Sequence, residues 1–188
     1  MKTITRNWLA EKNACQDGYN WFTKQNKEFE PIPLLNLLIK KNQLDWANWL
    51  IVRVMEYKQY VSYAVFAAEL VIDIFEKEFP DDKRPRTAIE AAKKCIKNPS
   101  DENKKKAYSA ARAADSASLA AWSASSAEWG AYSAADWAVW AAYWVACAAD
   151  SAADSAACAA KATARATANA KILKKTLKYG IKLLREGK

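Results

Sequence analysis

The side chains of this 188-residue chain that could take part in catalysis do not form a spacing typical of a catalytic site. Histidine, the commonest general base and metal ligand in proteins, does not occur in it. Asp150 and Asp154 lie one helical turn apart, as paired catalytic carboxylates would, but helix caps are the favoured explanation for both. The four glycines are too few to build a phosphate-binding loop. We therefore expect a protein that is not an enzyme and that holds no cofactor and no metal ion.

Aromatic residues of an alanine-rich segment form the first candidate recognition surface. Tryptophan and tyrosine are enriched at the energetically important positions of protein interfaces. The candidate residues are Trp122, Trp129, Tyr132, Trp137 and Trp140. The same rings can instead fill the core by packing against N-terminal helices. A stacking platform for single-stranded nucleic acid is disfavoured, because no Lys or Arg lies between Trp122 and Trp144 to contact phosphates.

A short charged segment is the second candidate. Lys83, Arg84 and Arg86 directly follow Asp81 and Asp82. This pattern favours a local, salt-bridged helix cap, and a loop that recognises a partner protein is the alternative.

The C-terminal segment is strongly basic. The chain carries a net charge of +8, and residues 171–188 contribute seven basic residues against Glu186 alone, or +6. The lysines alternate with Ile and Leu at helical spacing, which predicts a basic amphipathic helix. Such a helix can lie on anionic lipid, contact phosphates, or pack its apolar side on the domain and leave the lysines in water. The last interpretation is favoured.

The elements that must position these residues all show helical spacing. Thr5 is expected to cap a helix that reaches Lys12, and residues 27–33 are expected to form a loop, with Pro33 at the first position of the next helix. Leu44 opens a further helix. A continuous helix is expected from residue 61 to residue 79, where Pro80 ends it. Pro85 and Ser100 mark the starts of two more helices.

Alanines of the segment 107–170 fall on a seven-residue grid. One series begins Ala110, Ala117 and a second begins Ala113, Ala120. Alternating steps of three and four residues predict a narrow seam along which helices approach closely. Turns are expected where Ser and Asp cluster, at residues 115–118, 123–126 and 150–155.

The fold class that follows is all-α: a compact multi-helix bundle with an alanine-rich, tightly packed C-terminal half. We expect an N-terminal helical region, 1–99, and an alanine- and tryptophan-rich region, 100–188, within one compact domain. No apolar run is long enough to span a membrane or to form a signal peptide, so a cytoplasmic protein is expected. The sequence does not specify an oligomeric state.

Residues 68–99, AELVIDIFEKEFPDDKRPRTAIEAAKKCIKNP, followed by alanine-rich helices, resemble an immunity protein family of bacterial polymorphic toxin systems. Residues 7–22 and 44–53 are similar to blocks of uncharacterised phage-encoded proteins. The resemblance implies an all-helical protein that neutralises another protein by binding it. The partner would be a toxin or, for a phage protein, a host defence component such as a CRISPR effector. Family members often carry histidines in the alanine-rich helices, and this chain has none.

The sequence is therefore compatible with two functions of different classes. The leading one is a binding protein that neutralises a protein partner. The alternative is a module that binds nucleic acid or an anionic surface through the basic C-terminal helix; nucleic acid is thus a possible partner that the sequence does not favour.

Overall fold

The computed structural model describes residues 3–70, 72–124 and 170–187, which form nine α-helices. Their bounds are α1 Arg6–Glu11, α2 Gln16–Lys24, α3 Pro31–Lys40, α4 Leu44–Val54, α5 Tyr57–Glu69, α6 Ile72–Glu78, α7 Arg84–Lys97, α8 Asp101–Ala124 and α9 Ala170–Glu186. Within these ranges the one extended pairing is an antiparallel bridge between Ile4 and Phe29. The all-α prediction is confirmed.

Local hydrogen bonds set three of the helix starts in the described residues. The Thr5 hydroxyl accepts a hydrogen bond from the Trp8 amide at 3.1 Å, and the Ser100 hydroxyl accepts one from the Asn103 amide at 3.2 Å. Both predicted caps are confirmed. A capping box between Glu56 and Gln59 starts α5.

Asparagine ends each of the first three helices. Asn13, Asn26 and Asn42 have φ values of 53°, 48° and 58°, in the left-handed region. Asparagine tolerates this conformation better than most residues, and it lets the next amides bond the last helical carbonyls. The amide of Gln43, for example, donates to the Leu38 carbonyl at 2.9 Å.

Three predicted boundaries are wrong. The third helix begins at Pro31 rather than Pro33, because a proline in the first turn needs no amide partner and Glu30 takes the extended conformation favoured before proline. The helix expected from 61 to 79 is divided into α5 and α6, although no Gly or Pro marks the division. The turn expected at 115–118 does not form, because α8 runs on to Ala124 through a segment rich in alanine, the best helix former.

The core is built around α5. Of its thirteen residues, eight are buried, among them Tyr63 and Ala68 at 0 % exposure. Helix α9 packs against α5, α4 and α3 through Leu173, Leu177 and Ile181. Two buried polar contacts join distant segments: the Gln59 amide donates to the Leu183 carbonyl at 3.0 Å, and the Tyr63 hydroxyl donates to Asn48 at 2.8 Å.

At the start of α8 the buried alanines are not the ones that the seven-residue grid predicts. Ala107, Ala111 and Ala114 are 0 % exposed, whereas Ala110 is half-buried and Ala113 is exposed. Helix α8 packs chiefly along α7, which presents Ala88, Ile89, Ala92 and Cys95 from its buried side. The rotation of α8 follows from this contact, which the seven-residue repeat does not encode. The burial of both series from Ala117 onward lies outside the described residues, as does the turn expected at 150–155. Of the turn expected at 123–126, Ser123 and Ala124 are helical and the other two residues lie outside the described part of the chain.

Candidate partner-binding surface

The charged segment before α7 is a hydrogen-bonded corner. The Asp82 carboxylate accepts bonds from the Arg84 backbone amide at 3.1 Å and from Arg84 Nε at 2.9 Å, and its second oxygen lies 2.5 Å from the Arg84 terminal nitrogen. This two-pronged contact lowers the pKa of Asp82 below its usual 3.8. The interpretation as a local salt-bridged cap is therefore confirmed for Arg84.

Arg86 joins α7 to α6. Its Nε and terminal nitrogen donate to the two carboxylate oxygens of Glu76 at 2.8 and 2.5 Å, and the terminal nitrogen also donates to Asp73 at 3.3 Å. Hydrogen bonding from Arg86 lowers the pKa of Glu76 below its usual 4.5. The guanidinium therefore fixes how two helices meet, at a point where the backbone between them is a short turn.

A groove opens beside this corner. One wall consists of Asp81, Asp82, Lys83, Arg84 and Thr87, and the opposite wall consists of Ala110 and Ala113 on α8. The first members of both alanine series thus line this groove: Ala113 is exposed, and Ala110 is half-buried and also packs against the core. Lys83, at the N-terminal cap of α7, is exposed and places a positive charge at the rim. Methyl-sized side chains on one wall leave room for a partner's side chain.

Within the described residues, no contact joins the predicted aromatic residues to this groove. Trp122 belongs to α8, but its side chain lies outside the described residues. Trp129, Tyr132, Trp137 and Trp140 lie outside them entirely, as do Asp150 and Asp154. Their role in partner binding stays a prediction.

The structure shows an aromatic cluster that the sequence argument did not single out. Trp8 contacts Trp49 edge-on at 6.1 Å between ring centroids, and Trp21 contacts Trp46 at 5.8 Å. Arg53 lies over the Trp49 ring at 4.1 Å. The spacing of 46, 49 and 53 on one helix is the signal that could have revealed it.

All four tryptophans are half-buried, and Trp21, Trp46 and Trp49 border a cavity of about 50 Å³, which has room for little more than one or two water molecules. Among the described large apolar side chains, only Tyr108 is exposed, at 38 %. The cluster is therefore a packing feature of α1, α2 and α4.

The C-terminal helix separates its two faces sharply. Leu173, Leu177, Ile181 and Leu184 are 0–9 % exposed against the other helices. The lysines lie on the opposite side, and Lys171, Lys175, Lys178 and Lys182 are exposed. The favoured interpretation, an apolar face packed on the domain with lysines in water, agrees with this geometry. The apolar face is consequently not available to enter a lipid surface.

Within the described ranges, no group of three or more metal-ligating side chains occurs and no helix is long and apolar enough to cross a membrane. No family model matches the chain, and no curated protein and no solved structure shows significant similarity to it.

Proposed function

We propose that this chain is a non-enzymatic helical protein that neutralises a partner protein by occupying its surface. The observation that carries the proposal is the groove between the 81–87 corner and α8. Residues 81–87, which lie within the segment 68–99 that resembles immunity proteins, supply one wall of it.

The groove is preorganised for binding. Asp82 holds Arg84 at two oxygens, and both residues line the groove. Arg86, which does not line it, is held by Glu76 in the same way and fixes the start of α7 against α6. Side chains that are already ordered lose less conformational entropy when a partner docks. Charges of both signs at the rim also favour one orientation of a partner over others.

The partner class follows from the resemblance: a toxin encoded beside the gene or, for a phage protein, a defence effector such as a CRISPR nuclease. In either case inhibition needs only that the bound chain covers a working surface of the partner. No reaction by this chain is required.

Co-expression tests the proposal. The chain is produced in bacteria together with each toxin or defence effector encoded in its genomic neighbourhood or its host, and colony or plaque counts report protection. We expect protection from at least one of them, and co-elution of the two purified proteins.

A matched pair of charge reversals tests the groove. Lys83→Glu and Lys58→Glu each reverse one exposed lysine at the N-terminal end of a helix, but only Lys83 borders the groove. We expect Lys83→Glu to weaken binding about tenfold, or 1.4 kcal/mol, and Lys58→Glu to leave it unchanged. Equal effects of the two variants, or no protection from any candidate effector, would contradict the proposal.

A further inference from the structure

A stripe of cations runs the length of α9. It comprises Lys171, Lys174, Lys175, Lys178, Lys182 and Arg185. Successive members are one, three or four residues apart, so at 3.6 residues per turn all six lie within an arc of about 100°. Five of them are exposed and Lys174 is half-buried.

The stripe is held rigidly in place by the opposite face of the helix. Leu177 is 0 % exposed in the core, and the Gln59 side chain bonds the Leu183 carbonyl near the end of α9. The helix therefore cannot roll its apolar side toward a lipid bilayer without unfolding the domain. Among the described residues, the exposed side chains that α9 offers a partner are all charged.

The charge density of the stripe resembles that of a nucleic acid strand. From residue 171 to residue 185 the helix rises about 21 Å at 1.5 Å per residue, so successive cations are on average about 4.2 Å apart along the axis. A DNA duplex carries one phosphate per about 3.4 Å of axis on each strand. Two acids of the described residues bear on the stripe. Glu186, the one acid between residues 170 and 187, lies 3.8 Å from Lys182 Nζ, and Glu69 on α5 is paired with Lys93 at 2.5 Å.

The geometry points to a duplex rather than a single strand. Proteins that bind single strands stack bases on aromatic rings. The aromatic residue of α9 is Tyr179, whose ring is stacked on Phe66 at 4.1 Å between centroids, so that face is occupied. We propose that the cationic stripe of α9 binds the phosphate backbone of double-stranded nucleic acid without reading its sequence. This inference does not depend on the proposed neutralising function.

Fluorescence anisotropy with a labelled 25-base-pair DNA duplex tests it, using the full chain at several NaCl concentrations between 50 and 200 mM. Log affinity is expected to fall linearly with log salt, with a slope of about −0.9 for each phosphate contact. The variant Lys174→Gln, Lys175→Gln, Lys178→Gln, Lys182→Gln removes four charges, and the slope is expected to shrink by about 2–4.

A control variant removes the same charge elsewhere. Lys12, Lys24, Lys41 and Lys105 are exposed on other helices or their ends, and replacing them with Gln changes the net charge equally. A fourfold Lys→Arg variant of the stripe positions keeps the charge and should keep the binding. Unchanged circular dichroism melts show that each variant is folded, since Gln and Lys have similar helix propensities.

Three outcomes would overturn the inference. The first is no binding of the wild-type chain to the duplex at 50 mM salt. The second is an equal loss in the control variant, which would mean that net charge alone attracts DNA. The third is tighter binding to phosphatidylserine vesicles or polyglutamate than to the duplex. Because the stripe variant can also be scored in the co-expression assay, loss of DNA binding with protection intact separates this inference from the proposed function.

Discussion

Gly180 lies where α9 packs against α4 and α5, and it leaves no space for a side chain. A Cβ atom at this position would lie 2.6 Å from Ile51 Cδ1 and 2.8 Å from two ring carbons of Tyr63. Both neighbours are 0 % exposed, so neither can move into solvent. Glycine at this position lets α9 approach its neighbouring helices closely, although glycine is a poorer helix former than alanine.

We expect Gly180→Ala to destabilise the fold by about 1–3 kcal/mol, because overpacking outweighs the roughly 1 kcal/mol that alanine gains in a helix. Gly18→Ala is the control: its Cβ would meet Cys15 Sγ at 3.3 Å and Trp46 at 3.7 Å, and Cys15 is exposed and can yield. That variant is expected to be neutral or stabilised by up to about 1 kcal/mol. Urea denaturation of both variants provides the measurement, and equal stability of the two would refute the packing argument.

The ion pair between Glu76 and Arg86 links stability to pH. Because Arg86 lowers the pKa of Glu76 below 4.5, the folded state binds fewer protons than the unfolded state near that pH. The contribution is therefore fully present above pH 4.5 and is lost as the pH falls through the lowered folded-state pKa.

Glu76→Gln should consequently destabilise the protein most near neutral pH, and the difference from wild type should narrow below pH 4.5. Urea midpoints at pH 7, 5, 4 and 3 measure this difference. Glu28→Gln, an exposed substitution in the loop before α3, serves as the control. A difference that stays constant over this range would show that the Glu76 carboxylate does not stabilise the fold through its charge.

Helix α8 shows how a repetitive element acquires one orientation. Its alanines at 107, 111 and 114 are buried, and those at 110 and 113 border the groove. An alanine-rich helix offers a methyl group on nearly every side, so its own composition specifies rotation weakly. Packing against the apolar side of α7 determines which side of α8 faces inward.

Leucine substitutions distinguish the two faces of α8. Ala111→Leu is expected to cost about 1–3 kcal/mol because the site is fully packed, whereas Ala113→Leu should change stability by less than about 0.5 kcal/mol. Thermal melts followed by circular dichroism report the difference. If Ala113→Leu is the more harmful of the two, the phase of α8 is the one that the seven-residue grid predicts.

The C-terminal helix packs on helices from the N-terminal half of the chain and completes the core. Helix α9 packs on α3, α4 and α5, and Gln59 bonds the carbonyl of Leu183, 124 residues away along the chain. A segment that looks like a basic tail in the sequence is thus part of the central core.

Deleting residues 182–188 removes the buried side chains of Leu183 and Leu184 together with the acceptor for Gln59. We expect this truncation to lower stability by several kcal/mol, since burying each leucine contributes about 1.5–3 kcal/mol. Deleting only Gly187 and Lys188 should leave the melt unchanged, because Gly187 is exposed beyond the end of α9 and the deletion removes none of the buried leucines. A truncated chain that melts like wild type would show that α9 does not close the core.

Most of the fold class and the helix caps could be predicted because they depend on residues within four positions of one another. Thr5 and Ser100 cap helices through amides three residues ahead, and the Asp82–Arg84 contact spans two residues. The salt-bridged corner of the candidate site was therefore within reach of sequence reasoning. So was the amphipathic character of α9, since its period is that of the helix.

The rest depended on contacts between residues far apart in the chain, which no local pattern encodes. Arg86 finds Glu76 across the turn between α6 and α7, and this pairing makes it a clamp between helices. Ala113 lines a groove, and not a seam, because α7 sets the rotation of α8. The cations of α9 form one outward stripe in a fixed position because a core built from α3, α4 and α5 holds the opposite face, and that burial follows from the packed volume of many distant side chains.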